Sequence, residues 1–386
     1  PGHGSQFLHR AEPAQVRTLI RTMFIRNSWY VAAEPAELAQ GIVSRRILDE
    51  QIALFRLASG RLAAVEDRCA HRQLPLSLGC VVGEALRCGY HGAEFNADGV
   101  CVAIPGQERV ADTIRVRSIP VVEKYGYVWI WMGEDKEAAG PGPDQVPAGF
   151  VAGEGPGWDR SYARFLSLPC NYQLVSDNLF DLTHAQFVHP ESLGAGLLSR
   201  LYRQPVNGHL DDRTTAFTYE IGARNISMHL RANCMRAGPA FHQALTDRYG
   251  RDFHAEDIDW YMDVEWWPPA FFTFSPLAKP VGAAREAGLS LMNLNAITPE
   301  TPTSCHYFFM VCQNDDPGNA TLTQYWARGV EFAFNQDRRI LTAQQQSLGT
   351  QDVFDRRVSS FAGDAIGIMG RKIVRRLCEQ EHTATQ

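Results

Sequence analysis

The sequence predicts an α+β chain, with a small antiparallel β domain first and then a larger domain in which an antiparallel sheet is flanked by helices. Short β-type runs separated by turn residues fill the stretch from Arg45 to about Trp131. Between Gly133 and Asp159 the periodicity disappears into Pro, Gly, Ala and acidic residues. Beyond that stretch come a helical segment, a series of long strands and a final helical region. At 386 residues the chain is long enough for two domains, each with a full core.

Residues 1–22 look detached, because P-G-H-G-S-Q is tag-like and the residues after it are rich in Ala and Arg. They read as a leader, with Met23 as the expected start. The small domain is assigned to 23–140. Its strand candidates are R-I-L at 46–48, I-A-L-F-R at 52–56, L-A-A-V at 62–65 and G-Y-V-W-I-W at 126–131. Ser59-Gly60, Ala97-Asp98-Gly99 and Pro105-Gly106 supply the turns. Residues 141–159 read as a linker, and 160–386 form the larger domain.

The larger domain opens with a helix expected from about Tyr172 to Val188. In R-T-T-A-F-T-Y-E-I-G, Phe217, Tyr219 and Ile221 fall on one face of a strand, with Thr218 and Glu220 on the other. Further strands are expected over Ile226–Cys234, Trp260–Trp266, Phe271–Phe274, Leu289–Ile297 and Cys305–Cys312. The last helical region runs from about Thr323 to the C-terminus.

Composition narrows the function classes. A net charge of −6 leaves no basic surplus to neutralise phosphates, which argues against wholesale nucleic-acid binding. No apolar run approaches a membrane span and no signal-peptide core opens the chain, so no membrane association is expected and the cytoplasm is the expected compartment. Nine cysteines without a paired framework suit a reducing environment. Cys80, Cys101, Cys170, Cys234, Cys305, Cys312 and Cys378 read mostly as small buried hydrophobes.

The remaining two cysteines carry chemistry. Cys69-x-His71 is followed, after sixteen residues, by Cys88-x-x-His91. Each pair fits the tip of one tight loop, so two neighbouring loops could clamp a metal centre. Two thiolates and two imidazoles are what a Rieske [2Fe-2S] cluster needs, with both Cys on one iron and both His on the other. Zinc is the competing reading, but zinc fingers put Cys with Cys and His with His, whereas each pair here mixes the two.

A second centre is written into N-Y-Q-L-V-S-D-N-L-F-D-L-T-H-A-Q-F-V-H-P. Asn178, Asp181 and His184 recur every three residues along one side of a helix. His189 lies five residues after His184, out of phase on an ideal helix. Pro190 pushes it off the helical region and frees its ring to swing back. A carboxylate would complete a 2-His-1-carboxylate iron site. Asp337 is the candidate, since it sits in an apolar stripe with Val330, Phe334, Leu341 and Leu348, where an unpaired charge is costly. An ion pair with a nearby Arg is the alternative. His209, His229, His242, His254 and His306 lack such partners and read as structural.

With Arg68, Arg72, Tyr90 and Gly92 around the cluster pairs, F-I-R-N-S-W-Y-V-A-A at 24–33, D-N-L-F-D-L-T-H-A-Q-F-V-H and T-P-E-T-P-T-S-C-H-Y-F-F at 298–309, the chain resembles the Rieske non-heme iron oxygenases, in the vanillate O-demethylase and dicamba monooxygenase branch. Where many members carry Trp two places after the last cluster His, this chain has Ala93. The resemblance implies a Rieske domain at 23–140 and a catalytic mononuclear-iron domain at 160–386. It implies cluster ligands Cys69, His71, Cys88 and His91, and Fe(II) ligands His184, His189 and Asp337. It makes Asn178 a residue close to the iron and Asp181 a carboxylate joining His91 of one subunit to His184 of the next in a homotrimer.

The implied activity is that of a terminal oxygenase in aromatic compound catabolism, with O2 as co-substrate and a small aromatic substrate. O-demethylation of a methoxylated aromatic acid leads, with ring hydroxylation or N-demethylation by the same centres as alternatives. Trp260, Trp266, Trp267, Phe271, Phe272 and Phe274 could wall the substrate site, or be ordinary sheet core. No G-x-G-x-x-G follows a strand, so NAD(P)H acts only through a separate flavin-containing reductase, directly or through a ferredoxin. A simple Rieske electron carrier is the non-enzymatic alternative, and would not need His184, His189 and Asp337.

Overall fold

The structure, a computed structural model, describes residues 24–140, 142–190, 215–236, 238–349, 353 and 359–384. The expected leader 1–22, Met23 and His209 lie outside the described residues. In the front half β1 (Trp29–Ala33) is followed by the one-turn helix α1 (Pro35–Leu38) and the meander β2 (Val43–Ile47), β3 (Glu50–Arg56) and β4 (Leu62–Glu66). A four-stranded antiparallel sheet of short strands, β5 (Cys80–Val82), β6 (Ala85–Arg87), β7 (Glu94–Asn96) and β8 (Cys101–Ala103), carries the two Cys/His loops. β9 (Val121–Lys124) and β10 (Tyr127–Trp131) close the half, with β10 pairing β1.

The expected linker is not a bare tether. It contains α2 (Ala148–Ala152), and Phe150 is fully buried against Trp129 and Phe271, at ring-centroid distances of 6.0 and 6.2 Å. Gly and Pro content signalled a break in local periodicity, but the packing of one aromatic residue is decided by partners distant in sequence. After it come β11 (Asp159–Arg160), β12 (Arg164–Leu168), α3 (Tyr172–Phe180) and α4 (Ala185–Val188).

The large sheet is then laid down strand by strand as β13 (Thr215–Ile221), β14 (Ile226–Met235), β15 (Ile258–Trp267), β16 (Phe271–Pro280), β17 (Leu289–Thr301) and β18 (Ser304–Gln313). Neighbours in sequence are neighbours in the sheet, and β11 and β12 both pair with β18, giving eight antiparallel strands among the described residues. α5 (Pro239–Tyr249), unforeseen from the sequence, links β14 to β15. The expected C-terminal helical region holds two helices: α6 (Ala320–Leu348) stops at Gly349, and α7 (Ala365–Ala384) starts afresh. Among the described residues no helix is long and apolar enough to cross a membrane.

Alternation sorts the sheet into two faces. Trp260, Trp266, Phe272 and Phe274 belong to the cores that include residues of α3 and α6, whereas Phe271 and Trp267 pack on the other side with Trp129 and Phe150. The six aromatic residues therefore do not share one wall, because a strand sends successive side chains to opposite faces. Tyr219 and Ile221 remain about half exposed on the edge strand β13. Of the cysteines read as buried, Cys80 is exposed and Cys234 half-buried.

The halves share one core. Leu48 and Asp49 donate their N–H groups to the carbonyls of Pro299 and Glu300 at 3.0 and 2.9 Å, and Thr298 Oγ1 donates to the Val31 carbonyl at 2.7 Å. Phe150→Ala is expected to lower the unfolding free energy by about 3–5 kcal/mol. Denaturant titration checks this, and a wild-type curve would show that α2 contributes no core.

Candidate metal centres

The two cluster loops share one backbone design. In the first, the Cys69 N–H donates to the Leu74 carbonyl at 2.9 Å and the Gln73 N–H returns to the Cys69 carbonyl at 3.0 Å. In the second, the Cys88 N–H donates to the Ala93 carbonyl at 2.8 Å and the Gly92 N–H to the Cys88 carbonyl at 3.1 Å. Each turn closes through a left-handed residue, Gln73 at φ 60° and Gly92 at φ 73°. At Gly92 a Cβ would also come 2.8 Å from Pro105 Cγ, so glycine is required twice over. Gly89 lets the loops meet, since a Cβ there would lie 2.8 Å from the Leu78 carbonyl oxygen. Buried Asp67 pins the first loop, accepting from Ser77 N and Oγ at 2.7 and 2.6 Å and from Ser44 Oγ at 2.8 Å.

These loops bring together all four residues singled out from the sequence. Cys69 and Cys88 are buried and unbridged, while the His71 and His91 rings stand exposed at the tips, 4.7 Å apart and edge to face. Burial, with the Cys88 sulfur beside it, pushes the Cys69 thiol up, a balance that a cation between the sulfurs would reverse. Two thiols inside and two imidazoles outside fit a cluster with sulfur on one iron and nitrogen on the other.

The second centre depends on a break the sequence did not reveal. The expected helix from Tyr172 to Val188 is interrupted at Asp181, whose backbone leaves the helical region at φ −101°, ψ 94°. The Asp181 carboxylate folds back to cap the next turn, accepting from Thr183 N at 2.9 Å and Thr183 Oγ1 at 2.6 Å. A 3-10 turn (Leu182–His184) and α4 follow. The His184 Nδ1–H donates to the main-chain carbonyl of Asp181, not to its carboxylate as expected, because that carboxylate is turned toward Thr183. This bond leaves His184 Nε2 free to face inward. As expected, the helix ends at His189, ahead of Pro190.

His189 Nδ1 faces Gln336 Oε1 at 2.8 Å, which turns its Nε2 to the same point. That point is Asp337, with Oδ1 3.4 Å from His184 Nε2 and 3.1 Å from His189 Nε2. One donor atom from each residue lies within 4.8 Å of the others, a spacing that one metal ion can span. Asn178 Nδ2 donates to Asp337 Oδ1 at 3.3 Å. Arg338 and Arg339 are exposed, so Asp337 faces the imidazoles instead of an Arg. Burial pushes the Asp337 carboxyl up, but the two imidazoles outweigh it and hold it below the usual carboxylate range. Burial likewise pulls His189 down, and Asp337 more than restores it. Two imidazoles and one carboxylate are the donor set of a non-heme iron site with open positions.

Gln336 was missed by sequence reasoning, although the second nitrogen of a ligating His needs a partner and Gln336 is adjacent to Asp337. Of the histidines read as structural, His229 pairs with Asp263 at 2.7 Å, His242 and His306 face the Phe253 and Arg46 carbonyls at 2.9 Å, and His254 faces Gln243 Oε1 at 3.1 Å.

Comparisons with known proteins find two family matches in the chain. Residues 28–120 match the Rieske [2Fe-2S] domain, and residues 168–380 match the vanillate O-demethylase oxygenase C-terminal domain. A chain with both is a Rieske non-heme iron oxygenase, an oxidoreductase with a [2Fe-2S] cluster and a mononuclear iron. Within that class the chain belongs to the vanillate O-demethylase oxygenase family.

It is 34% identical to the toluene-4-sulfonate monooxygenase system iron-sulfur subunit of Comamonas testosteroni, over 94% of this chain and 99% of that one. It is 32% identical to the vanillate O-demethylase oxygenase subunit of a Pseudomonas species, over 94% and 97%. With the dicamba O-demethylase oxygenase component of Stenotrophomonas maltophilia the identity is 35% over 78% and 83%. The crystal structure of dicamba monooxygenase bound to 3,6-dichlorosalicylic acid superposes with a TM-score of 0.79 at 29% identity, covering 93% of this chain and 99% of that one.

Gln336→Leu is expected to weaken mononuclear-iron binding about 10–100-fold while leaving the cluster unchanged. Iron titration followed beside the visible spectrum of the cluster checks both halves of that expectation.

Proposed function

We propose that the chain is a terminal oxygenase that attacks a methyl group of a small aromatic acid, with O-demethylation of a methoxylated acid as the leading reaction. Its electrons come from NAD(P)H through a separate flavin-containing reductase, with or without a ferredoxin, in the cytoplasm. The observation that carries the reading is the convergence of His184, His189 and Asp337 beneath a mostly apolar face of the sheet. In this reading Cys69, His71, Cys88 and His91 hold the cluster, and His184, His189 and Asp337 hold the iron. The division is a Rieske domain at 23–140, a connecting segment at 141–159 and a catalytic domain at 160–386. When bound, the two centres supply electron storage and O2 activation.

The chain's own residues do the rest. Asn178 and Gln336 fix the carboxylate and one imidazole. Leu182, Ala185, Phe217, Met262 and Val330 are partly buried beside the core that includes Trp260, and form an apolar wall suited to an aromatic ring. Hydroxylation of a methoxy methyl there gives a hemiacetal. Its collapse releases formaldehyde and leaves a phenol, with the second oxygen atom of O2 reduced to water by two electrons and two protons.

Asp181 is assigned as the bridge between subunits of a homotrimer. Its carbonyl orients His184 and its carboxylate is half-exposed, which supports a role in accepting from His91 of a neighbouring subunit. A second reading, oxidation of a methyl group carried directly on the ring, is favoured by the full-length similarity to the toluene-4-sulfonate subunit.

A panel of methoxylated, methylated and unsubstituted aromatic acids with a surrogate reductase separates the two. Formaldehyde is expected from the methoxylated acids, whereas a benzylic alcohol from the methylated ones alone would replace the leading reading with the second. Asp337→Ala is expected to lose the mononuclear iron and all turnover but keep the brown cluster. Full iron and activity in that variant would assign the third ligand elsewhere.

A further inference from the structure

The approach of the C-terminal helix to Asp181 and α3 is made through glycine. A Cβ on Gly363, in the 3-10 turn (Ala362–Asp364) leading into α7, would lie 2.9 Å from Asp181 Oδ1 and 3.3 Å from its Cγ. On Gly370 it would lie 2.7 Å from Phe180 Cε2, and on Gly367 an ordinary 3.4 Å from Asp177 Oδ1. Residues three or four apart share a helix face, so bare backbone meets the Asp181 stretch. Arg371 locks the contact, its Nε donating to Asp177 Oδ1 at 2.8 Å and its Nη1 to the Val353 carbonyl at 3.4 Å.

Asp181 has little room to yield. Its Oδ1 accepts two bonds from Thr183, and its carbonyl holds the His184 ring. Gly363 stands against the same carboxylate oxygen. Asp177, gripped by Arg371, directly precedes Asn178, which bonds Asp337.

We propose that Gly363 and Arg371 are positioning residues for electron delivery, using the C-terminal helix as the wall that sets where the Asp181 carboxylate stands. This rests on the reading of Asp181 as the bridge between centres. Neither residue touches a metal ligand in the described contacts. Their effect passes through Asp181 directly, or through the Asp177 pairing that keeps the helix in place.

The test uses the full-length holoenzyme. Wild type, Gly363→Ala, Gly367→Ala and Asp181→Asn are loaded with iron and assayed for iron, acid-labile sulfide and the electron paramagnetic resonance spectrum of the reduced cluster. Each is then reduced chemically and mixed with air-saturated buffer containing vanillate and toluene-4-sulfonate, and cluster reoxidation is followed optically.

Gly363 does not occupy the left-handed region, so alanine there acts by displacing the carboxylate and not by straining its own backbone. Gly363→Ala is expected to keep both centres and the cluster spectrum but to reoxidise at least about tenfold more slowly, since small misplacements of a transfer path have large rate effects. Gly367→Ala is expected to match wild type. A wild-type rate in Gly363→Ala beside a slow Asp181→Asn overturns this proposal alone. A wild-type rate in Asp181→Asn overturns the bridge beneath it. Should Gly363→Ala fail to fold, Arg371→Gln and Arg371→Lys decide: slow reoxidation in the first, restored in the second, supports the proposal, and equal rates in both overturn it.

Discussion

A buried carboxylate facing two imidazoles is the constraint around which the back half of the molecule is arranged. Asp337 is 5% exposed in the middle of an otherwise apolar helix stripe. Such a charge persists only where donors or a cation meet it. Its position is set by the helix that carries it. Asn319 caps the start of α6, and Phe334, one turn before Asp337, packs against Tyr307 and edge to face against Phe309, at ring-centroid distances of 4.8 and 5.0 Å. The height of Asp337 above the sheet is thus fixed by aromatic packing. His184 and His189 are brought to it by a segment that must stop being helical to do so.

What was legible in the sequence was what is determined locally. The Cys/His loops could be read because each is a closed turn of six residues whose hydrogen bonds begin and end on itself. The alternating strands could be read for the same reason, and Asp337 stood out because a charge interrupts its stripe. Three features were not legible. The break at Asp181 lies inside a run of helix-compatible residues, and only the capping bond to Thr183 distinguishes it. Gln336 looks like any surface glutamine until His189 is placed opposite. Phe150 lies in a segment whose composition says linker, and its partners are strands at either side of it in the chain.

The shared core has a consequence for how the halves cooperate. The turn between β2 and β3 bonds to the end of β17, and the His306 ring on β18 faces the Arg46 carbonyl. Tyr30, Val128 and Ile130 sit in the same apolar cluster as Tyr172, Phe309 and Phe334. The Cys/His loops have an apolar cluster of their own, with Cys69, Leu86 and Phe95, and the β2–β4 meander joins the two: Ile52 and Leu54 face the shared core while Ala53 and Phe55 face the loops. The loops are thus joined to the back half through the two packed faces of one sheet, not by a tether alone.

The two histidines of the second centre are not equivalent, and the difference gives the site a direction. The His189 side chain is 4% exposed and sealed by Gln336, whereas that of His184 is 22% exposed and held by the carbonyl of Asp181. One imidazole faces the closed interior, shielded from water. The other faces outward beside a carboxylate that also caps the turn and meets the C-terminal helix. The cluster loops repeat this polarity, with thiols inside and imidazoles at the exposed tips. At both sites the outward-facing side chain is an imidazole, a group that can bind a metal through one nitrogen and hydrogen-bond through the other. That property suits the proposed path, on which an electron leaves the Cys/His loops at an exposed ring and enters the second site at the outward-facing His184.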